Sequence, residues 1–148
     1  MQIASSPVYL DTSALAKIYF PEPDSSRLET ALVGRRDLIV SDLTVTELAS
    51  AIARRVRQDD LAAAPAQRVY QRLLRDCADG EFQRAELTAG VHREAERLLL
   101  GIGRHAGLRA ADALHLALAG TYNARVLITF DRRMRAAAEA LGTLELPQ

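Results

Sequence analysis

Four acidic residues, Asp11, Glu47, Asp112 and Asp131, sit where carboxylates can do chemistry. Asp11 directly follows the apolar, β-prone run Val8–Tyr9–Leu10, and Asp131 follows the strongest later run, Val126–Leu127–Ile128–Thr129. Glu47 falls in the first turns of a helix after a second strand, and Asp112 begins a helix in apolar company, Ala110–Ala111–Asp112–Ala113–Leu114–His115. Carboxylates brought together repel one another and cannot all stay ionised unless something neutralises them. An all-oxygen set suits Mg²⁺ or Mn²⁺, and one or two such ions about 4 Å apart can activate water and stabilise the leaving oxygen of a phosphodiester. The chemistry implied is hydrolysis without a covalent protein intermediate. Each acid also has a plainer reading. Asp11 and Asp131 can cap helices, Glu47 can close a capping box with Thr44, and Asp112 suits a helix N-terminus electrostatically. It is the set, at strand ends and early helix turns, that points to a site.

The elements that must position these residues alternate along the chain. Leu38–Ile39–Val40 is a second strand candidate, and Ser41–Asp42 caps a helix from Leu43 to about Val56, with Val45, Leu48, Ile52 and Val56 at helical spacing. Further helices are expected from Thr12, over Asp24 to Val33, from Pro65 through Cys77, over Val91 to His105 and Ala110 to Tyr122, and from Arg132 to Leu141. Phe82 to Leu87 alternates like a strand, and Leu144–Glu145–Leu146 reads as a short last one. Strands separated by helices predict an α/β fold, a mainly parallel sheet covered by helices on both faces. Such a sheet forms its site beyond the carboxyl ends of its strands, near the point where strand order reverses.

Composition sets bounds. The 148 residues are 49% apolar and 26% charged, the values of one ordinary globular domain spanning 1–148, without repeat or linker. The 19 basic and 19 acidic residues cancel, so any hold on nucleic acid must come from local basic groups rather than bulk charge. Nearly all the basic charge is arginine, Lys17 being the only lysine. Cys77 is the only cysteine, which excludes an internal disulfide and a cysteine-based zinc site. Met1 to Pro7 carries no basic region followed by a long apolar stretch, and no apolar run reaches the roughly 20 residues of a membrane span. A cytoplasmic protein without a signal peptide or membrane anchor is expected.

With these motifs in place, the sequence resembles the PIN domain and, within it, the toxin nucleases of VapBC toxin–antitoxin pairs. The resemblance rests on Val8–Tyr9–Leu10–Asp11–Thr12–Ser13–Ala14–Leu15, Thr44–Val45–Thr46–Glu47–Leu48, Ala111–Asp112–Ala113–Leu114–His115–Leu116–Ala117 and Ile128–Thr129–Phe130–Asp131, in that order, and covers essentially the whole chain. It implies a three-layer α/β/α fold and Mg²⁺- or Mn²⁺-dependent cleavage of RNA. Asp11, Glu47, Asp112 and Asp131 would be metal ligands, direct or through water. Thr129 matches a hydroxyl position that supports the activated water, and Thr12 is a weaker addition. A homodimer and a cognate antitoxin, typically inserting a C-terminal segment into the active-site groove, are also implied.

Among other candidates, Arg109, Arg132 and Arg133 lie near the acids and can hold phosphates. Arg54, Arg55 and Arg57 read as a solvated helix face or part of an antitoxin contact. His115 lies on the same helical side as Asp112, but packing within an Ala/Leu-rich helix is the expected role. His92 and His105 lack metal-ligand spacing with it, and Tyr9 and Tyr19 read as core. A haloacid-dehalogenase-type phosphatase needs an acid at position 13, which is Ser13, and a receiver domain needs paired acids and a late lysine. The remaining alternatives are a PIN-type nuclease outside toxin–antitoxin systems and a module that binds RNA or protein without cleaving.

Overall fold

The computed structural model describes Ile3 and residues 6–147; part of the N-terminal stretch read above for a leader lies outside them. The apolar runs become four strands, β1 (Val8–Leu10), β2 (Leu38–Ser41), β3 (Gln83–Ala85) and β4 (Val126–Ile128). They form one parallel sheet in the order β3-β2-β1-β4, with Val8 in register with both Leu38 and Val126. Strands this short cross the sheet in three or four residues and are buried on both faces, so β1, β2 and β4 read as continuous apolar runs.

The alternation of side chains across a strand divides the core in two. Val8, Leu10, Leu38, Val40, Val126 and Ile128 face one side. There they meet α1 (Thr12–Tyr19), α2 (Ser25–Leu32), α3 (Asp42–Arg57) and α4 (Ala63–Ala78). Tyr9, Ile39, Ala85 and Leu127 face the other side. Against them pack α5 (Ala89–Leu100), α7 (Ala110–Thr121) and α8 (Arg132–Leu141), with the one-turn α6 (Gly103–Ala106) between α5 and α7 in the chain. This is the three-layer α/β/α arrangement.

Several boundaries differ from the sequence reading for local reasons. The helix expected over Val91 to His105 breaks at Gly101, whose ψ of −101° leaves the helical region, and a separate turn follows. The helix expected to open at Pro65 starts at Ala63; proline is tolerated in a first turn, where its missing N–H breaks no intrahelical bond. Leu144–Glu145–Leu146 contributes only one parallel bridge, Val126 to Glu145, closed by Leu127 N–H to the Glu145 carbonyl at 2.9 Å. Among the described residues no helix is long and apolar enough to cross a membrane.

Strand order reverses between β1 and β4, because the chain runs outward from β1 to β2 and β3 and returns to β1's other side. Here the Asp11 N–H reaches the Ile128 carbonyl at 3.3 Å, so the chain segments leaving both strands start side by side.

Candidate active site

A cleft of about 720 Å³ opens beside this switch point, and Asp11, Glu47, Asp112 and Asp131 all line it. They arrive from four elements. Asp11 caps α1, accepting the Ala14 N–H at 2.9 Å. Glu47 lies on α3, whose cap is Ser41, accepting the Thr44 N–H at 3.0 Å. Asp112 sits in the first turn of α7 and accepts the Arg109 N–H at 3.3 Å. Asp131 caps α8, taking the Arg133 N–H at 2.7 Å. Asp11, Asp112 and Asp131 therefore serve the helix termini as well as the cleft. Glu47 does not close a box with Thr44; its carboxylate turns inward instead.

Asp11 is 4% exposed and the most enclosed of the acids. Burial pushes its carboxyl pKa above the ordinary value, opposed by hydrogen bonds from Thr129, Ser13 and Ala14. The Thr129 hydroxyl donates to Oδ2 at 2.5 Å, and the Ser13 hydroxyl donates to Oδ1 at 2.7 Å. Those hydroxyls are themselves fixed by the backbone, since Thr129 accepts the Asp131 N–H at 3.1 Å and Ser13 the Phe130 N–H at 2.8 Å. Thr129 is thus a brace between Asp11 and the Asp131 backbone.

Glu47 is held differently. The His115 ring donates from Nε2 to Glu47 Oε2 at 2.8 Å, and the Thr12 hydroxyl donates to the same oxygen. The His115 hydrogen bond lowers the Glu47 pKa against the opposing effect of burial. A carboxylate can only accept, so Nε2 carries the proton, and in the neutral ring Nδ1 accepts from the Tyr9 hydroxyl at 2.8 Å. Tyr9 is in turn bonded to Ser41 Oγ at 2.7 Å, and burial raises its phenol pKa. A buried chain of hydrogen bonds so runs from the cap of α3 through Tyr9 and His115 to Glu47.

Thr12 lines the cleft with the four acids, whereas Arg109, Arg132 and Arg133 are not among its lining residues. Arg132 borders a neighbouring hollow, while Arg109 and Arg133 give backbone N–H groups to Asp112 and Asp131. The cations on the cleft are Lys17, Arg54, Arg55 and Arg57. His115 and Ser13, which the sequence reading left without a role in the site, both hold site carboxylates. The position of His115 one helical turn after Asp112 was the available signal; Ser13, two residues after Asp11, gave none that distinguishes it from an ordinary first-turn serine.

Among the described residues, no three Asp, Glu, His or Cys side chains are grouped so as to hold a metal ion as they stand. The cleft's donors nonetheless fit a hard divalent cation in kind, being carboxylate and hydroxyl oxygens. Asp11 gives the physical reason for one, since its charged form bears a burial penalty that a cation in the cleft would offset.

A three-layer α/β/α domain with carboxylates from four elements around a cleft at its switch point defines the class. Residues 8–140 match the PIN domain. Ribonuclease VapC35 of Mycobacterium tuberculosis is 36% identical over 141 residues, covering 91% of this chain and 92% of that one. The chain belongs to the PIN-domain family and, within it, to the VapC proteins. Solved structures agree on the fold. Mycobacterium tuberculosis VapC20, described as a sarcin-ricin loop cleaving toxin, superposes with a TM-score of 0.67 at 18% identity, over 88% of this chain and 94% of that one. Rickettsia felis VapBC2, bound to a DNA fragment from its promoter, gives 0.66 at 16% identity, over 95% and 96%.

Proposed function

We propose that the protein is a divalent-metal-dependent endoribonuclease, the cytoplasmic toxin of a toxin–antitoxin pair. The observation that carries this reading is the convergence of Asp11, Glu47, Asp112 and Asp131 on one open cleft. The names of the VapC relatives support RNA as substrate, and the VapBC2 assembly supports a cognate antitoxin as partner. When bound, Mg²⁺ or Mn²⁺ supplies Lewis-acid stabilisation of the phosphodiester and lowers the pKa of water. Asp11, Glu47, Asp112 and Asp131 would hold it. Thr129 and Ser13 orient the Asp11 carboxylate, His115 and Thr12 orient that of Glu47, and the open cleft admits a polymer.

The test is cleavage of total RNA by purified protein with Mn²⁺ or Mg²⁺, with EDTA, and with Asp112→Asn in parallel. Discrete fragments that require the cation and vanish in the variant are the expected result. Equal cleavage by the variant would assign the activity to a contaminant and overturn the reading. A small neighbouring gene encoding a DNA-binding N-terminus, whose product suppresses cleavage, is expected for the toxin assignment.

A further inference from the structure

Helix α3 runs along the cleft from Glu47 to Arg54 and Arg57, past the Arg55–Glu22 pair. Glu47, Ser50, Ala51, Arg54 and Arg57 all line the cleft, with the small side chains of Ser50 and Ala51 between the glutamate and the arginines. Seven residues of helix place Arg54 about 10 Å from Glu47, and ten residues place Arg57 about 15 Å away. That is further than one phosphate stands from the next along a strand.

The cleft's other cations are engaged. Arg55 pairs with Glu22 and lies over the Phe20 ring at 4.3 Å, and Lys17 donates to the Pro23 carbonyl at 2.6 Å. Arg54 and Arg57 are exposed, and among the described residues neither has an ion-pair partner. A basic last turn suits the α3 dipole, which accounts for their sign but not for their lining the same cleft as the acids. Arginine's planar fork grips phosphate oxygens in pairs.

We propose that Arg54 and Arg57 are a phosphate clamp that holds the RNA backbone beyond the nucleotides at the carboxylates, so that substrate lies lengthwise along α3. This rests on the ribonuclease reading and adds to it a binding determinant on one side of the cut. The clamp acts in binding, so its loss should raise KM and leave kcat unchanged.

The experiment measures binding of a fluorescein-labelled, mixed-sequence single-stranded RNA by anisotropy across a KCl series. It uses Asp112→Asn protein to prevent cleavage, with and without Arg54→Gln/Arg57→Gln, and Arg68→Gln/Arg93→Gln as the control for total charge. Each single-strand phosphate contact contributes about 0.7 to the slope of log affinity against log salt, so the clamp variant should lose about 1.4 of slope. The control should keep the parent slope. An unchanged slope in the clamp variant overturns the proposal, as does an equal loss in the control, which would mean a diffuse charge effect. An unchanged RNA slope with lost binding to polyglutamate would give the arginines to an acidic protein partner and also overturn it. Failure of the clamp is separable from failure of the ribonuclease reading, because wild-type cleavage of total RNA is scored independently. Cleavage with no arginine dependence removes the clamp alone. Arginine-dependent binding without cleavage removes the nuclease and keeps the clamp as a backbone-binding site.

Discussion

At Asp11, burial and chemistry pull in opposite directions. The carboxylate is enclosed, its pKa is raised by burial, and three donors only partly restore its charged form. For an acid whose folded pKa exceeds its unfolded one, the folded state binds the proton more tightly. Ionisation therefore costs stability as pH rises from the unfolded pKa through the folded one. Asp11→Asn removes that cost, keeps the volume and retains the Oδ1 acceptor for the Ala14 N–H and the Ser13 hydroxyl. Its amide NH2 replaces the Oδ2 acceptor, so that the Thr129 hydroxyl must turn to accept. Without divalent cations this variant should melt above wild type at pH 7, with the gap closing as pH falls toward the unfolded carboxyl pKa, while losing cleavage. A variant that melts lower at pH 7 would show that the hydrogen bonds outweigh the burial penalty. Glu47 carries the opposite sign. Its pKa is lowered by the His115 hydrogen bond, so its contribution is present above the unfolded pKa and lost as pH falls through the folded one. His115→Phe leaves the Tyr9 hydroxyl and Glu47 without their ring partner and should destabilise the fold by about 1–3 kcal/mol. It should also lower cleavage, whereas His115→Gln, which keeps a donor, should recover part of it. Urea midpoints and initial rates on one RNA would measure both, and full activity in His115→Phe would mean Glu47 needs no ring to place it.

At the scale of elements, α7 carries both Asp112 and His115, and its packing decides where they sit. Its buried face is built of Ala113, Leu116, Ala117, Leu118 and Ala119, so small residues let it approach α5 and the sheet closely. Ala117→Leu forces extra volume into that contact and should cost about 1–3 kcal/mol by overpacking. Because α7 must shift to admit it, cleavage should fall further than in a surface variant of equal stability, such as a glycine at an exposed position of α4, for example Gln67→Gly. Wild-type stability in Ala117→Leu, measured by urea unfolding, would contradict the close packing. The same elements show what the sequence made legible. Runs such as Val126–Leu127–Ile128 announced strands because both faces are buried, and Arg132–Leu141 was bounded by its Asp131 cap and Gly142. The acids were legible because they follow those runs. The break at Gly101 was not, since Leu98, Leu99 and Ile102 keep an apolar rhythm across it. Nor was the role of Arg54 and Arg57 in lining the cleft. Their position depends on how α3 lies against α1 and the sheet, which no local spacing encodes, while Arg109 gives Asp112 its backbone N–H and Arg132 borders the neighbouring hollow with Asp131.

Taken as a whole, the molecule draws its carboxylates from segments separated by most of its length, Asp11 leaving β1 and Asp131 entering α8. A cation held between them would bind the folded chain and not the unfolded one, in which those segments are far apart, so it would stabilise the entire fold by mass action. At a concentration a hundredfold above Kd that amounts to about 2.7 kcal/mol. Net charge does not confound the effect, because 19 basic and 19 acidic residues balance and bulk screening acts on both signs. Melting curves in Mn²⁺ or Mg²⁺, each against KCl of equal ionic strength, should therefore show a rise in wild type that saturates with cation. Asp112→Asn should show a smaller rise, since it removes one charge but leaves the other three acids. Asp11→Asn should begin higher without cation and gain less from it, so that its curve and the wild-type curve converge or cross as the cation is raised. Parallel shifts in all three proteins would place the cation elsewhere on the surface. A wild-type curve indifferent to both cations at millimolar levels would remove the metal from the proposed mechanism.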